Sequence, residues 1–318
     1  MNRIIFPLLA GTVLLLAGCK KDNENGSGTA PGQLITPRLV ASEEEMPFTG
    51  ALEVFPCRSG TTVYYGNYYK NQLSFYYALY TISEGNVYSA LRPVTLPIGD
   101  YNLIYWGVSQ TQGPTYTNGA IHEPGITLNG DLAGQSYRLR KYPGADTTYH
   151  PVYDFVFAKQ AVDIGAESIA VPLHRVVAGL TVILQKSDNS ELDSEIASIN
   201  VLIGNISEKL DFVTGEPKNP TKTVRFPITV ADNNLTAVNP IALVFPSAPN
   251  PPLKIVLTLK DGTIRTFRTQ LNNTLAANTK LTVTVNMGEI LDSETTAGGF
   301  EVNKWEEKSE TVNAEPVP

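Results

Sequence analysis

The sequence predicts an all-β protein with two sandwich-like halves in series. Three observations favour this class. Apolar and polar residues alternate over short runs, as from Leu281 to Met287, which is the pattern of half-buried strands. Pro and Gly, with 22 and 25 residues, interrupt these runs at short intervals. No long stretch has the spacing of an amphipathic helix, and both halves have a similar β-character.

Residues 1–18 read as an export signal. A positive start, Met1-Asn2-Arg3, precedes an apolar run from Ile4 to Leu16. As a helix that run would reach about 20 Å, which is short of the roughly 30 Å hydrocarbon core of a bilayer. Its ending, LAGC at 16–19, resembles a bacterial lipobox and implies cleavage before Cys19 and lipid on that cysteine. The alternative is an ordinary secretory signal with a chance cysteine.

Residues 19–38 are expected to form a lipidated tether. The acidic stretch that follows Cys19 resembles a surface-export signal of Bacteroidetes lipoproteins, and a solvated tether is the alternative reading. Residues 22–36 are rich in Gly, Ser, Asn and Pro and have little to bury, which is typical of a flexible linker. The expected location is the outer membrane, lipid-anchored and facing outward.

Composition limits the classes of function. The 318-residue chain is 42% hydrophobic and 17% charged, and its net charge is −7 without a basic stripe, so nucleic acid is not an expected partner. Cys19 and Cys57 are the two cysteines; with Cys19 lipidated, no internal disulfide forms. Cys57, in EVFPCRSG, is interpreted as a small strand-end residue, with a reactive thiol as the alternative.

Several strands can be assigned from local pattern. Leu253 to Leu259 alternates and is followed by Asp261-Gly262 and TIRTF, which predicts a hairpin. VVAGLTVIL at 176–184 is apolar on both faces and reads as a central strand. At most one short helix is expected, at 188–198. The other β-runs are QLSFYYALYTI, RPVTLPI, DYNLIYW, YDFVFA, ASINVLI, TVRFPITV and PIALVF.

The predicted domain boundary falls near 163–168, where DIGAES separates YDFVFAKQAV from IAVPLHRVV. This places an N-terminal sandwich at 39–165, a C-terminal sandwich at 166–308 and a flexible tail at 309–318.

Three stretches, in this order, resemble one family. LPIGDYNLIYWG at 96–107 resembles its pattern LPxGxYxxxxWG, and IAVPLHRVVAGLTVIL at 169–184 resembles VxLxRxxAxLxVxV, with Leu184 at the last position. LAANTKLTVTVNM at 275–287, with GFEVNKW at 299–305, is similar to its LxANxxYxIxV strand and closing segment, except that Leu281 stands where an aromatic is common. With the lipobox, these stretches resemble the FimB-type anchor and accessory lipoproteins of Bacteroidales type V fimbriae, and fimbrillins more broadly.

That resemblance implies two tandem transthyretin-like Greek-key β-sandwich domains and a structural role in a cell-surface fimbrium, as membrane anchor or accessory subunit. It also implies that Trp106 plugs the first sandwich and that subunits join by exchanging strands. Phe300, Val302 and Trp305 are the candidate donor strand, with an intramolecular edge strand as the alternative. Arg38 is the candidate site of a protease cut, although an anchor that keeps its lipid is expected to remain uncut.

The remaining clusters carry weaker signals. The tyrosines Tyr64, Tyr65, Tyr68 and Tyr69 are expected either in the core, at a protein interface or stacked on glycans. The last reading supports the alternative function, a glycan-binding surface lipoprotein of a polysaccharide-uptake system. Arg175 is interpreted as a strand-edge hydrogen-bonding residue. No catalytic, metal-binding or cofactor motif is present, which predicts a non-enzymatic protein without metal or cofactor, whose partners are other fimbrial subunits.

Overall fold

A computed structural model describes residues 32–43, 46–110, 120–144, 146–165, 168–287, 306–313 and 315–316. These residues form strands, turns and loops without a helix, which confirms the all-β prediction. The short helix expected at 188–198 is wrong, because residues 188–195 form turns and loop and a strand begins at Ile196. Within the same described ranges there is no helix that is long and apolar enough to cross a bilayer.

The first half of the chain contains mostly short strands. They are β1 (Leu34–Ile35), β2 (Arg38–Glu43), β3 (Met46–Pro47), β4 (Gly50–Arg58), β5 (Asn67–Tyr69), β6 (Gln72–Ser74), β7 (Ala78–Ser83), β8 (Asn86–Arg92), β9 (Leu96–Pro97), β10 (Asp100–Ser109), β11 (Ile121–His122), β12 (Ser136–Leu139), β13 (Phe155–Asp163) and β14 (Ser168–Arg175).

The second half contains the longest strands. They are β15 (Ala178–Lys186), β16 (Ile196–Asp211), β17 (Pro217–Val230), β18 (Thr236–Val238), β19 (Ala242–Val244), β20 (Pro252–Leu259), β21 (Ile264–Gln270), β22 (Thr279–Met287), β23 (Glu306–Asn313) and β24 (Glu315–Pro316).

The first sheet closes on itself. Its order is β14-β13-β10-β4-β7-β8-β2-β3, and β2 also pairs with β14, so seven of these strands form a ring. The closing pair is parallel and joins Arg38–Glu43 to Ser168–Leu173. A closed sheet leaves fewer open edges than a sandwich. The first half is therefore a barrel-like sheet, and its closure depends on a strand near the N-terminus.

The second sheet is larger and bends back on itself. Its order is β23-β22-β15-β18-β17-β16-β20-β21-β24, with β19 beside β15 and with β11 and β12 joined through β16. The path turns where β17 meets β18, at Val230 and Ala237. Inward residues on β15, β16, β20 and β22 belong to a single apolar cluster, so the two arms of the sheet share one core.

The two halves are interlocked. β14 still belongs to the first sheet, and the chain passes to the second sheet only between Arg175 and Ala178. In the other direction β12, from the first half, pairs with β16 of the second sheet. The predicted limits 39–165 and 166–308 stay predictions, although the sheets divide the chain about ten residues later than the proposed boundary.

Trp106 occupies a different place from the one that the resemblance implies. The interior of the barrel holds a separate cluster that includes Leu52, Tyr80 and Leu103. Trp106 points to the other side of β10 and belongs to the core of the second sheet, where its Nε1 donates to the carbonyl of Phe212 at 2.9 Å. Its ring contacts those of Tyr137, Phe155, Phe157 and Phe212. Trp106 therefore fixes the outer face of the barrel to the second half.

The C-terminus is also more ordered than expected. Sequence analysis assigns 309–318 to a flexible tail, but residues 306–313 form β23 and residues 315–316 form β24. β23 runs parallel to β22 over eight residue pairs, from Thr279–Glu306 to Asn286–Asn313. Val312 is buried in the core of the second sheet, and this burial stabilises β23 against β22.

Candidate functional site

β2, the N-terminal closing strand, completes the barrel. Leu39 and Ala41 are buried in its interior, while Arg38 and Val40 face outward. This alternation is the one that a half-buried strand requires. The Arg38 guanidinium donates to Asn86 Oδ1 at 3.3 Å. Arg38 thus precedes the residues that fill the barrel, and a cut after it would leave Leu39 and Ala41 attached to the folded chain.

A buried ion-pair network holds the far end of this closing strand. Arg175 donates to both carboxylate oxygens of Asp154, at 2.7 and 3.2 Å, and pairs with Glu43, the last residue of β2. It also donates to Asn278 Oδ1 at 3.3 Å, just before β22. Glu43 in turn accepts from the Ser109 hydroxyl at 2.8 Å. Arg175 is more than the strand-edge residue predicted from sequence, because it joins β2, β14 and the second sheet.

β23, the C-terminal closing strand, has a buried carboxylate, Glu310, in addition to its pairing with β22 and the buried Val312. Glu310 accepts hydrogen bonds from the backbone N–H groups of Asn272 and Asn273, at 2.6 and 3.0 Å, and from the Asn273 side chain at 3.1 Å. Hydrogen bonds to a charged acceptor are among the stronger ones in proteins. The candidate donor residues Phe300, Val302 and Trp305, and the lipid acceptor Cys19, lie outside the described residues.

The tyrosine cluster divides into buried and exposed parts. Tyr64 is fully buried, its hydroxyl donates to the Phe75 carbonyl at 3.1 Å, and burial raises its pKa. Tyr65 and Tyr68 are half-buried, and Tyr65 packs edge-on against Tyr101 with ring centroids 5.3 Å apart. Tyr69 is exposed at the β5–β6 hairpin. The four residues therefore do not form one binding surface.

Two further aromatic residues of the same tyrosine-rich stretch, Phe75 and Tyr76, form an exposed pair. Phe75 and Tyr76 are 51% and 47% exposed, and their ring centroids are 4.2 Å apart. The Arg92 guanidinium lies 5.4 Å from the Tyr76 ring. Alternation along the run QLSFYYALYTI gave no sign of this arrangement, because residues 75–77 leave the strand pattern between β6 and β7.

A cavity of about 130 Å³ opens nearby, between β4, β10 and β11. Its wall includes Trp106, Tyr137, Tyr153 and the carboxylates of Glu53 and Glu123. Burial raises the pKa of Glu53, and hydrogen bonds from Tyr77 and Tyr137 oppose that rise. The Tyr137 hydroxyl donates to Glu53 Oε2 at 3.2 Å. The cavity is small, so it suits a few waters or the end of one side chain more than a sugar ring.

The remaining candidates do not come together. His122 lies in β11, His150 in a loop and His174 in β14. In the described ranges, no group of three or more His, Cys, Asp or Glu side chains is arranged to hold a metal ion. Cys57 is buried, and burial raises its thiol pKa to about 12, which fits the structural reading and not the reactive one.

Comparisons with solved structures find adhesion proteins of low sequence identity. A candidate adhesin from Bacteroides ovatus has 10% identity and a TM-score of 0.48, covering 74% of this chain and 82% of its own. A candidate cell adhesion protein from Bacteroides uniformis has 14% identity and a TM-score of 0.47, covering 80% and 93%. The fimbrial anchor protein Mfa2 from Porphyromonas gingivalis has 12% identity and a TM-score of 0.45, covering 74% and 82%.

The family assignment rests on sequence. No individually curated protein matches the chain. The sequence profile of the fimbrillin-A associated anchor proteins Mfa1 and Mfa2 matches residues 43–311, which include β3 to β22 in full, the last residue of β2 and the first six residues of β23. This match confirms the resemblance to fimbrial anchor proteins that the three sequence stretches predict. The chain belongs to the family of fimbrillin-A associated anchor proteins.

Proposed function

We propose that this chain is the membrane anchor, or an accessory subunit, of a cell-surface fimbrium. Lipid on Cys19 ties it to the outer membrane, and β-strand complementation joins it to neighbouring subunits. The tether expected at 19–38 is shortened to 19–33, because β1 begins at Leu34 and Arg38 is the first residue of β2. The observation that carries the proposal is the match to the anchor family over residues 43–311. The role is structural and needs no catalytic group.

The environment of β2 supports an anchor over a shaft subunit. Between Arg38 and Arg58 the sequence contains neither Arg nor Lys, so a protease specific for basic residues has no site that would release β2 alone. A cut after Arg38 would remove the tether and spare the strand. Such a cut would detach the protein from its lipid without opening the barrel. It would therefore remove the membrane attachment that an anchor requires and would not free a groove for a neighbour's strand.

The lipid is tested with Cys19→Ala. Fimbriae should then be released into the medium, because their base has lost its membrane attachment. Cys57→Ala is the matched control, since it removes the other thiol from a buried position and should leave the fimbriae on cells. Fimbriae that stay cell-bound in the Cys19 variant would sink the anchor role.

Strand complementation is tested with Phe300→Asp and Val302→Asp, because a deletion of 298–318 would also remove β23 from this chain's own sheet. If GGFEVNKW contributes a strand to a neighbour, the two substitutions should detach or shorten the fimbriae. Unchanged attachment and length would contradict the donor role of that segment. N-terminal sequencing of surface material adds an independent check, because a start at Leu39 would contradict the uncut anchor.

A second candidate function has one observation in its favour, the exposed and adjacent rings of Phe75 and Tyr76. Exposed aromatic faces are suited to stacking on sugars. Saturable binding to a polysaccharide panel, lost in Tyr76→Ala and kept in Tyr88→Ala, would favour a glycan-binding surface lipoprotein. Tyr88 is a suitable control because it is exposed and lies on a different strand.

A further inference from the structure

The barrel has an open seam beside β8. β2 closes the ring against β14 over six residue pairs, but it meets β8 only where Val40 pairs with Asn86. Before that point the N-terminal chain pairs with β9 instead, through Leu34–Pro97 and Ile35–Leu96. The other edge of β8 is paired with β7. In the described part of the chain, residues 87–91 therefore have one strand edge with no partner strand.

This edge lacks the features that usually protect an open strand. Residues 86–91 are all exposed, including Tyr88 at 80% and Leu91 at 67%, and none of 87–91 is charged. Charges on an edge strand discourage pairing with another chain, and residues 87–91 have none. An exposed, uncharged edge of this kind is suited to accept a further strand.

The sequence of the free edge fits a second copy of itself. Read antiparallel about its centre, VYSAL places Ser89 opposite Ser89 of the partner subunit, Tyr88 opposite Ala90 of the partner subunit and Val87 opposite Leu91 of the partner subunit. Each large side chain meets a small or apolar one, and no like charges face each other. Asn86 is already paired with Val40, which limits the contact to these five residues.

We propose that two copies of this chain associate through antiparallel pairing of their β8 strands, centred on Ser89, with two-fold symmetry. Two-fold, self-complementary contacts are the commonest way in which identical chains associate. The contact is short, so it is favoured where molecules are concentrated, as on a membrane. The pairing follows from the barrel seam and does not depend on the fimbrial role.

The test is thiol crosslinking of the full chain on intact cells. In the proposed register, directly opposite residues have their Cβ atoms about 5 Å apart, so Ser89→Cys should give a disulfide-linked band at twice the monomer mass under mild oxidation. Leu91→Cys is the matched control, because in the same register the two introduced thiols would lie about 13 Å apart along the strands. Cys57 is buried, so we expect it not to form a disulfide with another chain.

A second variant separates pairing from chance collision. Ala90→Lys in the Ser89→Cys background places two like charges diagonally across the paired strands, about 7–8 Å apart, and should lower the crosslinked fraction by about tenfold. Ile264→Lys, at an exposed position in β21, should leave that fraction unchanged. Absence of the dimer band, equal bands from the Ser89→Cys and Leu91→Cys variants, or an adduct with a different protein would each overturn the proposal. The Cys19→Ala experiment tests the anchor role separately. Its outcome, whichever it is, does not change the interpretation of the crosslinking result.

Discussion

β2 and β23, the strands near the two ends of the chain, both form a parallel pair, but they differ in how many of their sides are paired. β2 runs parallel to β14 over six residue pairs, and β23 runs parallel to β22 over eight. β2 is bonded on both sides and its two buried side chains lie inside the barrel. β23 is the first strand of its sheet and is paired along one side. We therefore expect β2 to unfold only together with the whole protein, whereas β23 should open locally.

The largest expected effect comes from removing the cation that holds β2. Arg175→Met should lower the free energy of unfolding by about 3–5 kcal/mol, because Asp154 and Glu43 would be left as buried carboxylates without their guanidinium. Urea denaturation measures the loss. Lys218→Met, in the exposed pair with Glu216, is the control and should leave the urea midpoint nearly unchanged, because solvent screens that pair. Similar losses in both variants would contradict the network's role.

The next effect concerns the side chains that β2 places in the barrel. Leu39→Ala should destabilise the whole protein by about 2–5 kcal/mol, since it removes buried volume from a closed core. Val40→Ala, the outward-facing neighbour, should cost far less. Hydrogen exchange should show the loss in β2, β14 and β10 together. Protection lost in β2 alone would mean that this strand opens independently, and the contrast with β23 would fail.

Sequence alone predicts the features that are local. The alternation in Leu281–Met287 and the Asp261-Gly262 hairpin between β20 and β21 are both confirmed, with positive φ at Gly262. Parallel pairs such as β2 with β14 join residues about 130 positions apart and leave no local pattern. The same is true of the partners of Arg175, which come from three separate elements.

Trp106 illustrates a second limit of sequence reasoning. Its motif predicts a core residue, and Trp106 is buried in a core. Alternation along β10, however, does not indicate which of the two cores each face of the strand packs against. Ile104 and Trp106 face the second sheet, whereas Leu103 and Tyr105 face the barrel interior. Both faces of β10 are apolar because both are covered, which is typical of a strand between two layers.

A third effect should be confined to the C-terminal strand. Glu310→Gln replaces a charged acceptor of three hydrogen bonds with a neutral amide, which should cost about 1.5–3 kcal/mol. Exchange should accelerate in β23 and at Asn272 and Asn273, and β2 should stay protected. Ser309→Ala on the same strand is the control. A uniform loss across both sheets would show that β23 belongs to the global fold, as β2 does.

The smallest expected effect is at Arg38, where β2 begins. Arg38 is exposed, and its single long hydrogen bond to Asn86 should contribute less than about 0.5 kcal/mol, so Arg38→Ala should unfold at nearly the same urea concentration as the parent chain. Cleavage of the parent chain after Arg38 by an Arg-specific protease then tests whether the residues that follow Arg38 are enough to hold β2 in the barrel. If Leu39 and Ala41 hold β2 in place, the cut product should lose its tether yet keep the stability of the barrel. A cut product that unfolds, or that takes up an added strand in place of β2, would make the N-terminal strand as releasable as β23 and erase the difference between the two ends.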